Sequence, residues 1–75
     1  MFGTKKTKIE VTGMSCGHCE KTVEDGVNSV DGVRKVKADH AKNVVTISYR
    51  GDCPSIDEVK AKVEDLGFEA ANSWV

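Results

Sequence analysis

Apolar residues recur with a period of two in four short segments of the chain, which predicts four β-strands. In residues 8–12, for example, Ile9 and Val11 alternate with polar neighbours, as expected of a strand with one face buried. Glycine or a short polar stretch follows each of the first three segments and ends the pattern. The predicted strands are residues 8–12, 33–39, 43–49 and 68–75.

Two other segments carry apolar residues at spacings of three and four, which predicts two helices. The first helix is expected to begin at or just after the pair of Cys16 and Cys19 and to end at residues 31–32, where aspartate and glycine interrupt the pattern. The apolar stripe that follows Cys19 consists of Val23, Val27 and Val30.

The second helix has the clearer start signal. Ser55 is a typical N-cap residue, and Glu58 three positions later completes the pattern of a capping box. Gly67 marks the predicted end of this helix, because glycine readily adopts the left-handed conformation that follows a helix. The buried stripe of the second helix is expected to comprise Ile56, Val59, Val63 and Leu66.

The element order is therefore strand, helix, strand, strand, helix, strand. This order predicts an α+β, ferredoxin-like βαββαβ fold, a four-stranded antiparallel sheet with two helices on one face. We expect a single domain over residues 1–75, since a chain of this length cannot support two cores. Successive elements alternate in direction, so the loop before the first helix, the turn at residues 40–42 and the loop at residues 67–68 should share one end. Cys53 should lie at the opposite end.

The composition favours a globular chain that neither inserts into a membrane nor binds nucleic acid. Eleven basic and twelve acidic residues are mixed along the sequence and leave a net charge of −1, so no long-range field for nucleic acid or anionic lipid is expected. No apolar run approaches the ~18 residues of a membrane span. The N-terminal residues lack the apolar stretch of a signal peptide, which predicts a reducing, cytoplasmic environment and free thiols.

The segment GMSCGHC, residues 13–19, carries the candidate chemistry. Cys16 and Cys19 are three positions apart at the start of a predicted helix, whose N-terminus favours the thiolate form of cysteine. Thiolates favour soft ions such as Cu(I), with Zn(II) as a competitor. A structural zinc site needs four ligands, and the sequence has neither a second CxxC pair nor a paired-histidine motif to supply them. A thiol–disulfide redox pair is the main alternative.

GMSCGHC, together with DGV at the start of the second strand and LGF before the last, resembles the heavy-metal-associated domain of copper chaperones and copper-transporting P-type ATPases. The resemblance extends over about residues 6–71. It implies that Cys16 and Cys19 bind one Cu(I) per monomer at the surface, with Zn(II) or Hg(II) as alternative ions. It also implies that Met14 points into the core and supports the loop instead of binding metal.

A surface site with two sulfur ligands predicts a carrier and not an enzyme. A partner's cysteine could become a third ligand, so that the ion passes by ligand exchange without release. The resemblance implies that this partner is the metal-binding domain of a copper-transporting P-type ATPase or a similar CxxC protein. We expect a free-standing chaperone, with a metal-binding domain cut from such an ATPase or a mercury- or zinc-binding relative as the alternative. We expect a monomer, with a metal-bridged dimer as the alternative.

Five further residues lie where the pattern allows a role. His18 and His40 are interpreted as solvent-facing residues and not as metal ligands. Phe68 stands where bacterial chaperones of the family commonly have tyrosine, which leaves only apolar shielding of the site. Cys53 is interpreted as a bystander thiol, with intermolecular disulfide formation as the alternative. Trp74 is expected to be the last packed side chain of the final strand.

Overall fold

The computed structural model describes residues 5–75 and contains the six elements in the predicted order. Their alternation of strands and helices follows the change of apolar spacing from two to three and four. The elements are β1 (Lys5–Thr12), α1 (Gly17–Val27), β2 (Val33–Asp39), β3 (Val44–Tyr49), α2 (Ile56–Asp65) and β4 (Glu69–Trp74).

The four strands form one antiparallel sheet in the order β2-β3-β1-β4. Alternation along each strand sends its apolar residues to one face, where both helices pack. The predicted ferredoxin-like α+β fold is therefore confirmed. Each fully buried aliphatic side chain contributes roughly 1.5–3 kcal/mol relative to an exposed one. The buried apolar residues are Ile9, Val11, Met14, Val23, Val27, Val30, Val36, Ala38, Val45, Ile47, Val59 and Val63.

The two helices approach each other closely at Gly26. A Cβ atom at this position would lie 2.4 Å from Cδ1 of Leu66, so any side chain there would force Leu66 to move. Leu66 is only partly buried, whereas Val59 and Val63 of the same stripe are fully buried. The absence of a side chain at Gly26 thus lets α2 settle against the end of α1.

Two predicted features of the helices differ from the structure. Helix α1 begins at Gly17, within the CxxC pair as predicted, but it ends at Val27, before the predicted stop at residues 31–32. Ser55 is the N-cap of α2, as predicted, but it makes no side-chain capping bond, so the predicted capping box with Glu58 is wrong. Both side chains are exposed, and water can satisfy the free N–H groups of this helix start.

Three loops meet at one end of the domain, as predicted. The N–H of Val11 donates to the carbonyl of Asn43 over 2.8 Å, which joins the end of β1 to the turn after β2. Gly13, in the loop after β1, lies against Phe68, which precedes β4. At the opposite end, Gly32 lies beside the backbone of Asp52.

Candidate metal centre

The loop between β1 and α1 is anchored by one buried side chain. Met14 is 6% exposed and belongs to the core, in agreement with the role that the family resemblance implied for it. Its neighbours Ser15 and Cys16 are exposed. The loop is therefore fixed to the core two positions before Cys16, the first of the two thiols.

The two thiols occupy different positions at the start of α1. Cys16 is the N-cap residue, with an extended backbone, and its carbonyl accepts the first helical hydrogen bond, from Glu20, over 3.2 Å. Cys19 lies in the first turn, is half-buried and packs against the core. Because α1 starts at Gly17, both sulfurs lie at the helix N-terminus, where free N–H groups stabilise negative charge.

Hydrogen bonds lower the pKa of Cys19. The backbone of Ser15 has the largest effect and its hydroxyl, 3.9 Å from the Cys19 sulfur, the next. Hydrogen bonds with the side chain and backbone of Cys16 lower this pKa further, while desolvation opposes them. Donors that face a sulfur favour its thiolate, which is the form that binds metal or attacks a disulfide. The two thiols are thus close neighbours in an environment that favours negative charge.

Phe68 covers one side of the loop. Helix α2 ends with Gly67 in a left-handed conformation, φ 97°, and the N–H groups of Gly67 and Phe68 donate to the carbonyls of Glu64 and Val63. This turn places the Phe68 ring against Gly13, where a Cβ would lie 3.3 Å from the ring. Gly13 also has a positive φ of 101°. A side chain at this position is therefore disfavoured both by the backbone conformation and by the contact with Phe68.

Sequence reasoning missed the contact that joins α1 to the turn after β2. Glu20 accepts a hydrogen bond from the backbone N–H of His40 and lies 2.7 Å from Nδ1 of the same residue. Both contacts lower the pKa of Glu20, the backbone bond most strongly, against the opposing effect of burial. The position of Glu20 one residue after the CxxC pair gave no sign of this partner, because the turn is twenty residues away.

The two histidines do not join the cysteines. His18 is exposed, and Nδ1 of His40 contacts the carboxylate of Glu20. Within residues 5–75 no group of three or more histidine, cysteine, aspartate or glutamate side chains could hold a metal ion. At this end of the domain the described residues thus offer a pair of thiols and not a closed set of four ligands.

Cys53 lies far from this pair. It is exposed in the loop before α2, and its thiol contacts Tyr49 at the end of β3. Burial raises the pKa of Tyr49, and the hydrogen bond with Cys53 raises it further. The predicted separation of Cys53 from the CxxC loop is therefore confirmed. Trp74 packs partly buried against the core, also as predicted.

The fold and the loop define a class of small βαββαβ domains that carry a surface CxxC pair. The family model of the heavy-metal-associated domain matches residues 8–69, and the chain belongs to this family. It is 33% identical over 61 residues to the copper chaperone CopZ of Staphylococcus aureus, a match that covers 81% of this chain and 90% of that relative.

Two further comparisons agree with this assignment. The chain is 32% identical over 65 residues to copper-transporting ATPase 2 of Homo sapiens, which covers 87% of this chain but 4% of that much longer protein. The solved structure of a CopZ metallochaperone superposes with a TM-score of 0.81 at 30% identity, covering 89% of this chain and all of that one. Among the helices of residues 5–75, none is long and apolar enough to cross a bilayer.

Proposed function

We propose that this protein is a metallochaperone that binds one Cu(I) between the thiolates of Cys16 and Cys19. The observation that carries the proposal is the pair of neighbouring thiols at the start of α1, one exposed and one with a lowered pKa. Soft thiolates prefer soft monovalent copper, and Zn(II) or Hg(II) are the competing ions. Relatives that are copper chaperones and copper-transporting ATPases support the choice of copper.

The exposure of the pair suggests how copper is passed on. Cys16 is open to solvent, so a thiolate of a partner could become a third ligand before either resident sulfur lets go. We infer that the partner is a CxxC protein, such as the metal-binding domain of a copper-transporting P-type ATPase. The chain would act as a carrier and not as an enzyme, as a monomer in the reducing cytoplasm, where its thiols stay free.

Anaerobic titration with Cu(I) against a competing chelator, followed by X-ray absorption, tests the site. We expect one copper ion per chain with two sulfur neighbours, or three when an external thiol is present. Even residues that only support a metal ligand account for roughly 10–100-fold in affinity, so Cys16→Ser and Cys19→Ser should each cost at least about 100-fold. Cys53→Ser is the matched control and should bind like the parent chain. Unchanged binding by either CxxC variant contradicts the proposal.

A thiol–disulfide redox protein is the second candidate, because a lowered thiol pKa also favours attack on disulfides. The reduction potential of the Cys16–Cys19 pair and an insulin-reduction assay separate the two functions. A carrier should show no turnover above that of a Cys16→Ser/Cys19→Ser double variant. A metal-binding domain cut from an ATPase would give the same titration as a chaperone. Copper transfer to a separate CxxC domain then tests delivery directly.

A further inference from the structure

The face of the sheet turned away from the helices, here called the outer face, collects positive charge. Eight side chains line a shallow depression on it, and six of them are cationic. None of the eight is acidic, aromatic or aliphatic. The lining residues are Lys6, Lys8, Arg34, Lys35, Lys37, Thr46, Ser48 and Arg50.

Strand register explains this arrangement. Thr46 of β3 pairs with Lys8 of β1 on one side and with Lys37 of β2 on the other. One step along the same face, Ser48 pairs with Lys6 and Lys35. Adjacent strands lie about 4.8 Å apart and same-face residues about 7 Å apart. Four lysines thus stand at the corners of a patch of roughly 10 by 7 Å, with two hydroxyl groups between them.

The structure separates charges that are mixed along the sequence. Six of the eleven basic residues line this depression, and none of the twelve acidic residues does. The expectation that mixed charge leaves no field for anionic lipid therefore does not extend to this face. Alternation places Glu10 and Asp39 on the same side of the sheet, but at the end near the CxxC loop. The outer face is consequently basic at the end remote from that loop.

We infer that the outer face binds peripherally to an anionic membrane surface, with the CxxC loop held away from the lipid. A flat array of lysines without apolar anchors suits diffuse attraction to headgroups, at about fivefold in affinity for each basic residue near the surface. Protein interfaces are instead depleted in lysine and built around aromatic anchors. Single-stranded nucleic acid would need stacking side chains, which the eight residues lining the depression lack. The acidic end near the loop would tilt away from the lipid.

Co-sedimentation of the metal-free 75-residue chain with vesicles tests this inference. We expect binding to phosphatidylcholine vesicles that contain 30% phosphatidylserine at 0.1 M salt, and loss of binding at 1 M salt or without the anionic lipid. Replacing Lys6, Lys8, Lys35 and Lys37 by glutamine should weaken binding at least tenfold. These side chains are exposed, and circular dichroism checks that the variant is folded.

The matched control removes the same charge elsewhere. Glutamine at Lys21, Lys42, Lys60 and Lys62 leaves the outer face intact and should reduce binding less than threefold. Equal loss in both variants would mean that net charge alone acts, which overturns the inference. Failure of the parent chain to bind anionic vesicles at 0.1 M salt overturns it as well. Tighter binding to a short DNA duplex, or displacement by millimolar inorganic phosphate, would assign the face to another anion.

Discussion

At the scale of single residues, the two candidate ligands are not equivalent. Cys16 is an exposed N-cap residue, whereas Cys19 is half-buried and receives hydrogen bonds from Ser15. The sulfur of Cys19 is thus held by its neighbours, while the sulfur of Cys16 stays accessible to a partner protein. This asymmetry fits stepwise exchange, because one ligand can stay in place while the other is replaced.

Replacing Ser15 by alanine removes the hydroxyl that lies 3.9 Å from the Cys19 sulfur. We expect the pKa of Cys19 to rise, because a donor to the thiolate is lost while the larger backbone contribution remains. The thiolate fraction at neutral pH should fall and alkylation of Cys19 should slow. The measurement is the pH dependence of iodoacetamide modification in a Cys53→Ser background, followed by peptide mass.

Ser29→Ala provides the control for this variant. Its hydroxyl donates to the carbonyl of Gly26 at the far end of α1, away from either thiol. The alkylation profile of Cys19 should be unchanged in this variant. An identical profile for Ser15→Ala would show that the hydroxyl does not act on the sulfur.

At the scale of elements, α1 covers the edge of the sheet that is formed by β2. Strand β2 lies at the edge, and its outward N–H groups need partners or water. Glu20 and Glu24, one helical turn apart, accept hydrogen bonds from the N–H groups of His40 and Ala38. Side chains of α1 thus accept hydrogen bonds that a further strand would otherwise accept from β2. These bonds fix the helix, and the CxxC loop at its start, relative to the sheet.

Replacing Glu24 by alanine should destabilise the fold. The carboxylate accepts the partly buried N–H of Ala38 over 2.9 Å, and an unsatisfied buried donor costs roughly 1–3 kcal/mol. Partial burial points to the lower half, about 1–2 kcal/mol of unfolding free energy, measured by urea denaturation. Asp25→Ala removes an exposed carboxylate from the same helix and should change stability by less than about 0.5 kcal/mol. Equal effects of the two variants would contradict this assignment.

At the scale of the whole molecule, the antiparallel sheet separates Cys53 from the CxxC pair. Cys16 and Cys19 lie at one end of the strands and Cys53 at the other. A strand of six residues spans about 20 Å. Disulfides join Cα atoms that are only about 4.4–6.8 Å apart. Within one folded chain, Cys53 therefore cannot reach either cysteine of the pair.

Mild oxidation of the dilute protein should leave Cys53 as a free thiol. We expect any intramolecular disulfide to join Cys16 and Cys19, and any bond to Cys53 to appear only between chains and to grow with protein concentration. Alkylation followed by peptide mass mapping identifies the bonds. A monomeric species with Cys53 bonded to Cys16 or Cys19 would contradict the topology.

Local signals along the chain were enough to predict the element order, and with it the fold. Strand β2 has the predicted bounds, because its alternation is regular and a turn follows it at once. The end of α1 was predicted too late, since Val30 continues the apolar stripe and is buried although the helix ends at Val27. The capping box of α2 failed for a related reason: suitable residues at the right spacing permit the bonds but do not require them.

The sequence by itself determined the order of elements, the CxxC pair at a helix start and the separation of Cys53, because periodicity and alternating direction are properties of neighbours in the chain. Only the tertiary structure decided which distant groups meet. Strand register and helix packing decide three features of this kind. These are the contact of Glu20 with His40, the packing of Phe68 against Gly13 and the cluster of lysines on the outer face. Register and packing are set by burial of the whole core, which no short segment encodes.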